Sequence, residues 1–113
     1  MLSKGNKILI DAKIQRICDA RVPEHIRDKV RLLHRWRGNT ITLIETRPYF
    51  QDHSRWTECP IAKFTYTPAT KKWTLYCPNR NGAFRLYGEI KPVADIQALL
   101  DEVNRDATHI FWG

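Results

Sequence analysis

The side chains most clearly suited to a chemical function are basic ones that recur at alternate positions of one segment. If residues 31–37 form a strand, Arg31, Arg35 and Arg37 lie on one face, because side chains alternate along a strand. Guanidinium groups pair well with phosphate oxygens, so such a row suits a polyanion. The basic positions expected to extend this nucleic-acid-binding face are Lys71, Lys72, Arg80 and Arg85.

Two forms of nucleic acid are compatible with this pattern. A sheet followed by a helix can lay its strands in a DNA groove, with basic side chains on phosphates and bases. Alternatively, Trp73, Tyr76 and Tyr87 could stack on exposed bases. The competing interpretation is that Trp73 faces the core and that the lysines simply keep the domain soluble.

Other chemistries lack the required spacing. The three Cys and four His include no closely spaced pair of the kind that structural zinc sites use. The run Asp52, His53, Ser54 has the residue types of a catalytic triad, but adjacent side chains point in different directions. The chain also lacks a nucleophile elbow and a glycine-rich phosphate loop. We therefore expect a non-catalytic binding module without metal or cofactor.

The charge of the chain is unevenly distributed. Residues 1–37 hold ten basic and four acidic side chains, whereas residues 92–113 hold one basic and four acidic. With a net charge of +7 over 113 residues, this pattern favours a polyanionic partner that approaches from one side. The alternative is that the basic charge is incidental and that the protein is an interaction module.

Length and cysteine usage predict a single domain, residues 1–113, in the cytoplasm. No apolar run approaches the ~20 residues of a membrane span, and the apolar run near the start is too short for a signal peptide. Three Cys without a Cys-x-x-Cys pair favour a reducing compartment over a disulfide framework.

The firmest structural signal is an antiparallel meander over residues 61–87. Three alternating runs, rich in aromatic and β-branched residues, are separated by turn residues. In the middle run Trp73, Leu75 and Cys77 fall on one face.

The flanking segments predict further elements. Helical spacing of Ile8, Ile10, Ile14 and Cys18 indicates a helix over residues 7–20. A hairpin turning at Gly38–Asn39 is favoured over residues 31–46, although Ile26, Val30 and Leu33 would also suit a helix. The apolar stripe of a C-terminal helix consists of Ile96, Leu99, Leu100 and Val103.

Two aromatic segments remain. Residues 47–60 are predicted to form a loop that connects two strands, and the chain ends in an aromatic tail. Together they either complete the core or form an apolar interface, for which a two-fold homodimer is the expected outcome. The interface candidates are Tyr49, Phe50, Trp56, Phe111 and Trp112.

The expected fold is α+β: an N-terminal helix, a meander sheet of four or five antiparallel strands, and a C-terminal helix with a packed aromatic tail. An ordered series of short motifs supports it: Gly38–Asn39, Arg47–Pro48, Trp56, Phe64-x-Tyr66, Trp73-x-Leu75-Tyr76, Arg80–Asn81–Gly82 and Phe111–Trp112–Gly113. The series resembles a family of small bacterial proteins catalogued only as a domain of unknown function. The resemblance implies the fold and a hairpin near Gly38, but no chemistry.

Overall fold

A computed structural model describes residues 3–26, 28–49, 51–79, 83–106 and 111, and only the backbone of His53. It confirms the α+β class, with an N-terminal helix, a five-stranded antiparallel sheet and a C-terminal helix. The strands follow one another in the sheet in chain order, β1-β2-β3-β4-β5. The elements are α1 (Lys4–Arg21), a short 3-10 helix (Glu24–Ile26), β1 (Arg31–Arg37), β2 (Thr40–Tyr49), β3 (Asp52–Thr67), β4 (Lys72–Pro78), β5 (Phe84–Leu86) and α2 (Ile96–Arg105).

Helix α1 begins three residues earlier than predicted because Ser3 caps it. The Ser3 hydroxyl accepts a hydrogen bond from the Asn6 amide at 3.1 Å, which satisfies an otherwise unpaired donor of the first turn. Ile10, Ile14 and Cys18 are buried as predicted. The assignment of Ile8 to the same stripe was wrong, since this side chain is 59% exposed.

Both helices cover the same face of the sheet. Core residues of α1 and α2 belong to one apolar cluster with Ile41, Phe64 and Leu75, each of which is at most 1% exposed. Two further contacts fix α1 against β1: Asp11 accepts hydrogen bonds from His34 Nε2 at 2.9 Å and Trp36 Nε1 at 2.7 Å. We call this side of the sheet the covered face.

The hairpin between β1 and β2 forms as predicted, and the helical alternative for this region is wrong. Gly38 adopts a φ of 59°, a left-handed conformation that a residue without Cβ reaches at little cost. The register pairs Trp36 with Ile41 and Arg35 with Thr42.

The interpretation of residues 47–60 as a connection was wrong. Residues 47–49 are the end of β2 and residues 52–60 the start of β3, and the two segments pair through Arg47 with Thr57 and Pro48 with Trp56. The pairing of β1 with β2 ends at Arg31 and Thr46. Residues 47–49 and 51–57 therefore extend past the end of β1 as a two-stranded ribbon, which we call the arm.

A β-bulge interrupts β3 three residues beyond the base of the arm. Leu43 pairs with Ala62 but the next residue, Ile44, pairs with Pro60, so Ile61 is the extra residue. As a result, Ile61 and Ala62 are both buried in the core cluster although they are adjacent in sequence. The bulge shifts the alternation of β3 by one residue between its two halves.

The chain folds back after α2 through Asp106. This residue adopts a φ of 48° at the helix C-cap, and its Oδ1 accepts a hydrogen bond from the Phe111 amide at 3.0 Å. Phe111 is 4% exposed and packs against Tyr87, with ring centroids 5.0 Å apart. Neither described helix has the length and apolar character needed to cross a lipid bilayer.

Candidate nucleic-acid interface

The register gathers basic side chains on the side of the sheet opposite the helices. Directly paired residues of antiparallel strands point to the same face, so Arg35, Thr42, Lys63 and Tyr76 form one continuous row across four strands. We call the side of the sheet that carries this row the open face. The basic residues at its ladder positions are Arg31, Arg35, Arg37, Lys63 and Lys72.

Uncharged hydrogen-bonding side chains lie between these cations. Threonine hydroxyls donate and accept hydrogen bonds, and they are compatible with phosphate and sugar oxygens. The hydroxyls of Thr40 and Thr65 lie 3.3 Å apart across the strands. The threonines of the open face are Thr40, Thr42, Thr46, Thr65, Thr67 and Thr74.

The Arg35 side chain reaches from β1 across β2 to β3. Its Nη2 lies 3.0 Å from Oε2 of Glu58 on β3, and this hydrogen bond is the main cause that raises the pKa of Arg35. The register places Ile44 of β2 between the two partners. The ion pair thus lies over Ile44. This explains why the Ile44 side chain is only 4% exposed although no helix covers this face.

Arg31 makes a similar crossing at the base of the arm. Its guanidinium carbon lies 4.3 Å from the centre of the Trp56 ring, within the range of a cation–π contact. Thr46, which pairs with Arg31, lies between them on β2 and is 6% exposed. Trp56 thus presents a half-buried aromatic ring on the open face.

Lys63 is central to the open face. Its Nζ lies 5.2 Å from the ring centres of both Tyr76 on β4 and Phe84 on β5. Leu86 pairs with Tyr76 and is 61% exposed. We call these four residues the Lys63 cluster, a cation set among two half-buried rings and an exposed apolar side chain.

A scan against protein families matches residues 2–113 to the family described as "Domain of unknown function (DUF3024)". The chain belongs to this family. No curated protein and no solved structure matches it. The family assignment confirms the resemblance indicated by the motifs, and it implies no chemistry for this DUF3024 protein.

Four residues predicted for the basic face or for base stacking lie elsewhere in this DUF3024 fold. Lys71 occupies the β3–β4 turn and lines a pocket of about 330 Å³ between α1, the N-terminus of α2 and the sheet. Arg85 pairs with Cys77, which places it on the covered side. Trp73 and Tyr87 are only 2% and 4% exposed, so their rings are not available for stacking, and Trp73 faces the core as the competing interpretation predicted.

The aromatic interface candidates are divided between the core and the arm. Phe111 is a core residue, which is one of the two alternatives that the sequence left open. Tyr49 lies on the arm, where its hydroxyl donates to Gln51 Oε1 at 3.0 Å, and Trp56 contacts Arg31. Three candidates fall outside the described residues: Phe50, Arg80 and Trp112.

Sequence reasoning missed Lys63, Phe84 and Glu58 as members of the site. Lys63 and Thr65 alternate with buried Ala62 and Phe64, and this pattern was the available signal for the exposed phase of β3. The partners of Lys63 come from β4 and β5, so its environment depends on long-range register.

The His, Cys, Asp and Glu side chains of the described residues are not clustered for metal binding. Across that part of the chain, no three His, Cys, Asp or Glu side chains come together in a group that could hold a metal ion. Ser54 donates to Asp52 Oδ1 through both its hydroxyl and its amide, which lowers the pKa of Asp52 and forms a local turn at the start of β3. The open face, with its aligned basic side chains, is the candidate site.

Proposed function

We propose that the protein binds nucleic acid through the open face, without catalysis. The observation that supports this most strongly is the alignment of five basic side chains by the ladder register on a face that neither helix covers. At the described ladder positions of this face the acidic side chain is Glu58, which is paired with Arg35. The remaining positive charge is complementary to a phosphate backbone.

The contacts of Arg35 with Glu58 and of Arg31 with Trp56, which we call the two arginine bridges, are compatible with this proposal because phosphate can compete for an arginine. Arg35 and Glu58 are 59% and 48% exposed at their side chains, so water screens their attraction and the pair is weak. A phosphate can take the place of the Glu58 carboxylate as the partner of Arg35 with little loss. The face is then pre-formed, because the ladder holds the backbone of every basic residue in place.

A charge-reversal pair provides the test. Arg37→Glu with Lys63→Glu should weaken binding of a labelled oligonucleotide at least tenfold in fluorescence anisotropy, since it puts carboxylates in the middle and at one end of the face. Lys71→Glu with Arg85→Glu is the matched control, because it changes the net charge by the same amount off the open face. The control should retain most of the affinity.

Salt dependence supplies a second readout. Each phosphate contact contributes about −0.7 to −0.9 to the slope of log K against log salt. The face variant should have a shallower slope than the wild type. Equal losses in both double variants would mean that binding follows net charge, and the open face would be rejected as the site.

A second candidate function is self-association through the edge of β3. In the described residues β4 pairs with β3 only from Lys63 to Thr67, so no described strand lies across residues 52–62 on that side. An open strand edge is a template for pairing with another strand. Antiparallel pairing with the same edge of a second copy would give a two-fold dimer.

A further inference from the structure

We infer that the open face takes a single strand of nucleic acid, whose bases stack on the rings of the Lys63 cluster and on Trp56. This inference rests on the proposed function and specifies its ligand. The supporting observation is that the cations of the face lie beside aromatic rings. Lys63 is 5.2 Å from two ring centres, and Arg31 is 4.3 Å from a third.

The width of the sheet disfavours reading of a duplex. Neighbouring strands are about 4.8 Å apart, so the five strands span about 19 Å. The major groove is about 12 Å wide and admits a helix or a two-stranded ribbon. The open face can meet a duplex only at its backbone, where the rings of Tyr76 and Phe84 would find no base to contact.

A single strand offers both kinds of partner that the face presents. Its phosphates are available to the cations, and its unpaired bases have free aromatic faces. Tyr76 and Phe84 are half-buried and Leu86 is 61% exposed, so the Lys63 cluster leaves apolar surface in contact with water. A stacked base would remove this surface from water while Lys63 remains beside the phosphates.

Trp56 gives a second stacking position, and it lies on β3, the strand that also carries Lys63. Six residue steps plus the extra bulge residue separate Trp56 from Lys63, which is about 20 Å at the rise of a β-strand. Arg35 lies in the same row as Lys63, two strands over, and its guanidinium reaches back to Glu58, which lies between Trp56 and Lys63 on β3. A single strand bound along β3 can reach both stacking positions, with its backbone near Arg35.

The experiment compares single strands with a duplex of equal length. The probes are labelled oligothymidylate and oligouridylate of about twelve nucleotides, within the usual range of site sizes, and a DNA duplex of the same length. Anisotropy is measured at low and at physiological salt. The single strands should bind more tightly than the duplex at both, and the two single-stranded probes show whether DNA or RNA is preferred.

Ring-removing variants test the stacking itself. Tyr76→Leu and Phe84→Leu keep apolar volume but remove the ring, and each should weaken single-strand binding roughly 5- to 150-fold, the range for one stacked base. Tyr76→Phe keeps the ring and should bind like the wild type. Duplex affinity should be unchanged in all three variants. Thermal unfolding of each variant verifies that it is folded. Because the two Leu substitutions lie on different strands, one variant can still test stacking if the other does not fold.

The outcomes separate this inference from the function on which it rests. If single strand and duplex bind equally and the folded Leu variants change neither, stacking is rejected while nucleic-acid binding stands. If the duplex binds more tightly, the inference is likewise overturned. If neither probe binds near physiological salt, the proposed function itself fails.

Discussion

The three cysteines have different environments, and this difference has a measurable consequence. Cys18 and Cys77 are buried at 3% and 1% exposure, whereas Cys59 is exposed on β3. Burial, assisted by the nearby charge of Asp19, raises the pKa of the Cys18 thiol to about 11. Since the thiolate is the reactive form, only about one Cys18 in a thousand is ionised at pH 8.

We therefore expect one fast-reacting thiol in the native protein. A chromogenic disulfide reagent at pH 8 should modify Cys59 rapidly and the other two slowly, whereas in denaturant all three should react. Raising the pH towards 11 should accelerate the modification of Cys18 in the native state, because a raised pKa shifts the appearance of thiolate to higher pH. Cys59→Ser should abolish the fast phase. Three equally fast thiols in the wild type would contradict the burial of Cys18 and Cys77.

At the scale of elements, the C-terminal turn is expected to contribute strongly to stability. Phe111 fills a space against Tyr87, and its amide is bonded to Asp106. Replacing a buried phenylalanine with alanine typically costs about 3–5 kcal/mol, because it removes buried surface and leaves a cavity. Phe111→Ala should lower the free energy of unfolding by about that amount in urea titration, and Phe111→Leu by less.

Leu86→Ala is the matched control for this measurement. Its side chain is 61% exposed, so the change should stay within about 0.5 kcal/mol. A Phe111→Ala variant as stable as this control would show that the contact between the C-terminal segment and the core is not maintained in solution.

At the scale of the whole molecule, residues 52–62 of β3 present a strand edge on which no described strand lies, and the oligomeric state tests whether that edge is used. If residues 52–62 pair with a second copy, light scattering should give twice the 13.3 kDa chain mass at high concentration. Ser54→Lys with Cys59→Lys adds charge to two exposed edge positions and should shift the mass to that of the monomer. Ala20→Lys with Ala98→Lys adds the same charge at exposed helix positions and should leave the dimer intact. A monomer at all concentrations would reject the second candidate function.

Much of the fold was predictable because its signals are local. The alternation of Trp73, Leu75 and Cys77, the glycine at position 38 and the stripe of α2 each depend on neighbouring residues. The arm was missed because Pro48 and Pro60 usually interrupt strands, whereas here they occupy ladder positions where β3 is paired on one side only. The three arginines of β1 were found from their spacing. Lys63 was not, because its aromatic neighbours belong to strands that only the tertiary register brings beside it.

The bulge at Ile61 has a consequence for how this chain can vary. The alternation of side chains changes at the bulge, so even-numbered residues from 56 to 60 face the same way as odd-numbered residues from 63 to 67. Deleting Ile61 would barely alter the composition and would leave the strand order intact. It would also leave a regular ladder, because Ala62 already pairs with Leu43 and Pro60 with Ile44, so Trp56 and Glu58 would keep their side of the sheet and both contacts with the arginines of β1. The extra residue therefore gives β3 room for the loss of one residue, and a single deletion between Thr57 and Ile61 is expected to remove the bulge and to keep the face that the arm presents.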